Sequence, residues 1–356
     1  MDAAVCNRLH NDLRMTPDHA QSTLRDVARI AGVNVATASR ALSSDRRGMV
    51  SPETAKRVDE AAAELGYRAN PIARGLKTNR SFTIGVLVPD LTNPLYPPIV
   101  RGIDDALARV GYTPLTANTD NDLERERTSF EVLRARRVEG FVVASAFREH
   151  PLIDEALAEG VPLVLSLRRI DAGTAWTVCV DERAGIAQAV DHLVALGHRE
   201  IAHIGGPVAE MSTAHERHIG FLASMAVAGL NGTQELVRFA AAFTIEDGRV
   251  ACRELLESGA RPTAITAGND LIALGCSDAI AEIGLRCPED VSIVGYNDMP
   301  LADRLAPPLT SVQIPHYELG VRSAEVLLDR IAGNGSIPRT ELLAPQLVVR
   351  GSTRAI

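Results

Sequence analysis

The chain has 356 residues, enough for two or three domains with a sizeable buried core. Its make-up, 46% hydrophobic and 23% charged, is that of a globular protein. No apolar run approaches the ~20 residues of a membrane span, and the charged first 20 residues hold no apolar signal core, so a cytoplasmic protein is expected.

The net charge of −8 speaks against nucleic acid until its distribution is read. Residues 22–80 carry 11 Lys and Arg against 6 Asp and Glu, whereas residues 81–356 carry 24 against 36. A basic head on an acidic body suits phosphate contact by the head alone. The five cysteines (Cys6, Cys179, Cys252, Cys276 and Cys287) are scattered and form no C-x-x-C pair, which fits a reducing compartment.

Residues 1–22 show no periodicity and read as a disordered extension, with Met15 a candidate start. Residues 23–69 read as three short helices. Thr23 caps the first, with Asp26 in the capping-box position, and Gly32 ends it. Asn34 caps the second, Val35 to Leu42. Ser51-Pro52-Glu53 opens the third with a cap, a Pro at the first helical position and an acid at the positive end of the dipole. Two short helices around a tight Gly turn are the helix-turn-helix pattern; a generic three-helix bundle is the alternative. Residues 70–81 hold enough helical signal for a turn or two, with Pro71 at the start and Gly75 weakening it, so they read as a hinge helix or a plain linker.

From Thr83 short apolar runs alternate with amphipathic segments. The expected strands are 84–88, 113–116, 140–144, 162–165, 201–205, 264–266 and 291–296. The expected helices are 95–110, 124–137, 151–159, 183–196, 214–229, 246–258, 270–283 and 317–332. This alternation predicts βαβ units and parallel sheets, and its length predicts two lobes with a ligand between them, near the carboxyl ends of the strands.

The residues now support a resemblance. The run from Thr23-Leu24-Arg25-Asp26-Val27-Ala28 to Ala38-Ser39-Arg40-Ala41-Leu42, with Val50-Ser51-Pro52-Glu53-Thr54, Leu65-Gly66-Tyr67 and Asn70-Pro71-Ile72-Ala73-Arg74-Gly75-Leu76, resembles the head of the lactose-repressor (LacI/GalR) family. The body carries similar motifs, among them Arg137-Val138-Glu139-Gly140, His192-Leu193-Val194-Ala195-Leu196-Gly197-His198, Gly268-Asn269-Asp270 and Val291-Ser292-Ile293-Val294-Gly295-Tyr296-Asn297-Asp298. The resemblance runs from about residue 23 to about residue 352. It implies an all-α helix-turn-helix head and an α/β periplasmic-binding-protein-like body over 82–352. It also implies three crossings between lobes, near residues 182, 313 and 343. Lobe 1 then comprises about 82–182 and 314–343, and lobe 2 about 183–313 and 344–356. A homodimer on a near-palindromic operator is implied as well. No leucine heptad follows Arg350, so a tetramerising tail is not expected.

The early residues of the second helix meet base edges in such a head. Val35 and Ala36 then set half-site preference by apolar contact, and Arg40 is the candidate for guanine. Thr37 and Ser39 suit phosphates or bases, and Thr23 and Asn34 suit phosphate positioning in addition to capping. In the hinge the resemblance makes Leu76 a minor-groove wedge, with Lys77, Asn70 and Ala73 beside it. For the effector it implies Arg217, Asn269 and Phe243, with Tyr96, Asp90 and Asn93 as first-lobe candidates and Asn297 at the end of a strand. Alone, Phe243 and Tyr96 would read as core. The Arg217 fork suits a carboxylate or paired hydroxyls.

Two positions depart from the family pattern: Asn297 stands where Asp is frequent, and Leu167 where an acid is common. A sugar or sugar derivative is the implied effector, with purines and small acids as alternatives. Arg168 and Arg169 either add positive charge near the cleft or form a solvated pair. No Walker loop, H-E-x-x-H or G-x-S-x-G is found, and His215 and His218 lack companion ligands, so neither an enzyme nor a metal or cofactor is expected. A transport binding protein built on the same body is the other rival.

Overall fold

The computed structural model describes residues 22–42, 47–67, 80–230, 234–334 and 337–356. The chain divides into two compact units, Met1–Ser81 and Phe82–Ile356.

Among the described residues the first unit holds three α-helices, α1 (Leu24–Ile30), α2 (Val35–Ala41) and α3 (Pro52–Glu64). Each begins where a side chain replaces a missing backbone partner. Thr23 and Asp26 form a reciprocal capping box, Asn34 Oδ1 accepts the Thr37 N–H at 2.7 Å, and Ser51 accepts the Thr54 N–H. Gly32, at φ +64°, turns the chain between α1 and α2. The core is built of small residues, with Val27 and Val58 packed among Ala28, Ala38, Ala41, Ala55 and Ala61. Arg47 clasps Asp59 through two N–H groups, tying the turn before α3 to that helix. Asn70, Ala73, Leu76 and Lys77 lie outside the described residues.

Among the described residues the second unit holds two six-stranded sheets with helices packed on them. The first contains β1 (Thr83–Val88), β2 (Thr113–Asn118), β3 (Phe141–Val143), β4 (Leu163–Ser166), β5 (Trp176–Val180) and β11 (Thr340–Leu343), in the order β11-β5-β4-β3-β1-β2. The second contains β6 (Ile201–Gly205), β7 (Val237–Phe239), β8 (Ala264–Ala267), β9 (Ser292–Asn297), β10 (Thr310–Gln313) and β12 (Gln346–Val348), in the order β12-β10-β9-β8-β6-β7. All pairings are parallel except β10 with β12. The central strands are buried on both faces, as parallel strands between helical layers must be.

The helices are α4 (Tyr96–Ala108), α5 (Leu123–Ala135), α6 (Pro151–Ala158), α7 (Glu182–Ala195), α8 (Ser212–Val227), α9 (Ile245–Glu257), α10 (Asp270–Glu282) and α11 (His316–Ile331). Their ends fall within two residues of the sequence expectation, the ordinary uncertainty of helix ends. The chain passes from the first sheet to the second between β5 and β6, returns after β10, and passes again between β11 and β12. One apolar cluster runs across these passages, taking in Val180, Ile186, Val294, Tyr296, Val312 and Ile314.

Two helix pairs pack backbone to backbone on glycine. A Cβ on Gly102 of α4 would overlap the Tyr317 carbonyl oxygen of α11, and one on Gly320 would overlap that of Ile99. In the other lobe Gly275 of α10 stands in the same relation to Ile245 of α9.

Five strands have no counterpart among the expected elements: β5, β7, β10, β11 and β12, of which β10 is four residues long and buried on three of them. β7, β11 and β12 are short edge strands, half-buried to exposed throughout, and too brief for a period-two signal. β5 is buried on every residue and therefore shows no alternation.

Candidate effector cleft and DNA-facing helix

Helix α2 turns Ala38 and Ala41 into the head core and leaves Val35, Ala36 and Arg40 exposed, with Thr37 and Ser39 half-buried. The five side chains expected to face DNA thus form the outward surface of one short helix. Thr23 and Asn34 are both engaged as caps, and both stay exposed at helix N-termini, where backbone N–H groups favour an anion.

In the second unit one cavity of about 90 Å³ lies between the lobes. Asp90, Asn93, Tyr96, Arg217, Phe243, Asn269 and Asn297 all line it, and so do Asn121, Leu167, Arg168, Met211, Thr213 and Thr244. These residues come from strand-to-helix turns: after β1, β2 and β4 in one lobe, and around α8 and after β7, β8 and β9 in the other. The sheets therefore aim their carboxyl ends, and the following helices their positive N-termini, at one space. Between the lobes the Arg148 backbone N–H donates to the Glu210 carbonyl at 2.8 Å, and Arg169 pairs with Glu216.

Arg217 corrects an expectation. Its fork is not open to a ligand. Nε and Nη2 grip both oxygens of Glu182 at 2.7 and 3.1 Å, Nη1 donates to the Gly268 carbonyl at 2.6 Å, and Nη2 also reaches Asn297 Oδ1 at 3.4 Å. The guanidinium lies 3.7 Å over the Tyr296 ring. Both charges are almost fully buried, and a buried guanidinium without this carboxylate would be costly. What Arg217 offers the cleft is a single N–H.

Of the two readings of Arg168, a charge near the cleft and a solvated pair, its burial on the cavity wall fits the first. The residue is 4% exposed rather than solvated. Nη1 donates to Asn121 Oδ1 at 2.8 Å and to the Ser145 carbonyl at 3.4 Å, and Nη2 donates to the Tyr96 hydroxyl at 3.2 Å. Burial raises the Tyr96 hydroxyl above its ordinary pKa, against the pull of Arg168, so it stays protonated. Arg169, by contrast, is bound to Glu216.

The four cleft asparagines share one feature. Asn93 Oδ1 accepts the Leu95 N–H, Asn269 Oδ1 the Ile272 N–H, Asn121 Oδ1 an Arg168 N–H and Asn297 Oδ1 an Arg217 N–H. Each partner is a donor only, which assigns the amide orientation and leaves each Nδ2 group as a donor. Three cleft residues, Asn121, Leu167 and Asn297, have φ of +54°, +69° and +101°. Such conformations are strained for Leu and cluster at ligand clamps. Sequence reasoning missed Asn121, Met211, Thr213 and Thr244, for which no local pattern distinguishes a cleft position from a turn.

Asp270, beside Asn269, is buried against Ser311 and the Met299 N–H. Burial raises its carboxyl to about 7, although both hydrogen bonds pull it down. Its folded pKa lies above the unfolded value of ~3.9, so its stabilisation is complete below pH ~4 and lost as pH rises through about 7. Asp270→Asn is expected to flatten the stability profile across that window. Urea midpoints at pH 5 and pH 8 check this, and an unchanged difference between them would discard the assignment.

Comparison with known proteins agrees with this geometry. Residues 23–70 match the bacterial regulatory proteins of the lacI family, and residues 190–353 match the periplasmic binding protein-like domain. The chain is 32% identical over 335 residues to the HTH-type transcriptional repressor CytR of Escherichia coli (strain K12), covering 94% of this chain and 97% of that one. It is 33% identical, with the same coverage, to the ribose operon repressor of Halalkalibacterium halodurans. The lac repressor dimer bound to operator and the anti-inducer ONPF superposes with a TM-score of 0.81 at 29% identity, covering 94% of this chain and 100% of that chain. With a helix-turn-helix head, a two-lobed body and relatives alike over nearly their whole length, this chain belongs to the LacI family of bacterial transcriptional regulators.

Proposed function

We propose that this protein is a cytoplasmic repressor that binds a near-palindromic operator as a homodimer and is switched by a small polar molecule in the interlobe cleft. The observation that carries the reading is the convergence of seven residues, spread from Asp90 to Asn297, on one cavity. Arg40, Val35 and Ala36 on the outward face of α2 would read the major groove, and Leu76 in the hinge the minor groove. Ligand would shift the balance between two lobe arrangements whose hinges fit the operator differently. The relatives' names, all repressors, favour a regulator over an enzyme or a transport protein.

Fluorescence anisotropy with an operator selected from random sequence tests this, with and without cleft ligands. Leu76→Ala is expected to lower specific operator affinity while the fold survives, and Arg40→Ala to relax preference at one base pair by ~1–3 kcal/mol. Normal operator affinity in Leu76→Ala would remove the wedge. Failure of the wild-type protein to select any sequence would remove the reading as a whole.

A further inference from the structure

We propose that the cleft takes a small polyol carrying one anionic group, a carboxylate or a phosphate, seated against Arg168. This rests on the cleft being the effector site and adds the chemical class of its occupant.

Arg168 is a buried cation whose partners are all neutral: Asn121 Oδ1, the Ser145 carbonyl and the Tyr96 hydroxyl. Among the described residues no carboxylate lies within ion-pair distance of it. Guanidinium does not lose its proton in a protein, so its charge has to be balanced from elsewhere. Arg217 has this balance in Glu182. Glu126, buried behind Ser145, does not supply it to Arg168, because it accepts the Ser145 hydroxyl at 2.7 Å and faces His150 at 3.3 Å. Position 167, next in sequence and on the cleft wall, is apolar Leu. The countercharge is therefore left to the ligand.

The rest of the wall agrees. Each cleft asparagine has its oxygen engaged and presents Nδ2, so the space is lined mainly by donors and suits a ligand rich in acceptor oxygens. The one carboxylate on the wall, Asp90, is half-buried and already accepts the Thr92 N–H and hydroxyl. Its second oxygen suits a ligand hydroxyl. A polyol with one anionic end satisfies both sides.

Isothermal titration of the full-length protein tests this with matched probes: glucose and ribose, then glucuronate and gluconate, then glucose 6-phosphate and ribose 5-phosphate. At least one anion is expected to bind ten times more tightly than its neutral parent, and whether it is an acid or a phosphate identifies the source. Arg168→Gln is expected to weaken that anion about ten- to hundredfold and the neutral parent far less, so that the ratio between the two collapses. Leu167→Asp, which places a carboxylate beside Arg168 at a φ that Asp tolerates better than Leu, is expected to reverse the preference. It serves independently where Arg168→Gln does not fold. A neutral sugar that binds as tightly as its anions, unaffected by either substitution but lost in Asn269→Ala, would overturn the charge assignment and keep the cleft. Binding by none of the six probes would overturn both.

Discussion

Arg217→Met is expected to destabilise the body by about 3–5 kcal/mol, the usual cost of removing one partner from a buried ion pair. Most of that cost comes from Glu182, which is 5% exposed and would keep a carboxylate with no cation beside it. The Tyr296 ring would also lose the guanidinium stacked on it, and the Gly268 carbonyl a donor. The effect has a signature that simple loss of packing lacks. An unpaired buried carboxylate takes up a proton, so the variant should regain stability as pH falls. Adding Glu182→Gln should restore much of the loss at neutral pH, and a double-mutant cycle in urea measures the coupling. Equal destabilisation at pH 5 and pH 8, with no rescue by Glu182→Gln, would show that Arg217 acts only through volume. Because the pair joins the start of α7, just past the first crossing, to α8 on the cleft wall, the variant is also expected to lose its response to ligand.

Gly320→Ala should be the most damaging single methyl in the first lobe. A Cβ there overlaps the Ile99 carbonyl oxygen and sits 2.9 Å from its carbon and 3.0 Å from the Ile103 nitrogen. All three are backbone atoms in a helix, so no side chain can rotate away and α4 and α11 must separate. Overpacking of this kind costs typically 1–3 kcal/mol, and rigid backbone on both sides places it at the upper end. At ~2–4 °C per kcal/mol for a body of this size, the transition temperature should fall by several degrees. Function should suffer too. Tyr96 is the first residue of α4 and meets Arg168, so a displaced α4 moves the floor of the cleft. Calorimetry together with ligand titration checks both effects. A transition temperature within a degree of wild type would mean that the two helices are not held at this distance.

Much of this molecule is legible locally. Thr23, Asn34 and Ser51 cap their helices because a side-chain oxygen three residues before an orphan N–H has nowhere better to bond. Gly32 turns the chain because the left-handed conformation carries little penalty without a Cβ. The order of motifs identified the family, and with it seven residues that meet in the cleft. The state of those residues was not legible. Arg217 reads as an open fork until Glu182, 35 positions away, closes it. Arg168 reads equally as a solvated charge or one near the cleft until Asn121 and Tyr96, 47 and 72 positions away, enclose it. Sequence alone thus determined the head, the alternation of the body and seven of the residues that line the cavity. Only the tertiary structure decided which charges in that space are already balanced, because a charge is balanced by what packs against it, and those partners arrive from distant turns of two separate sheets.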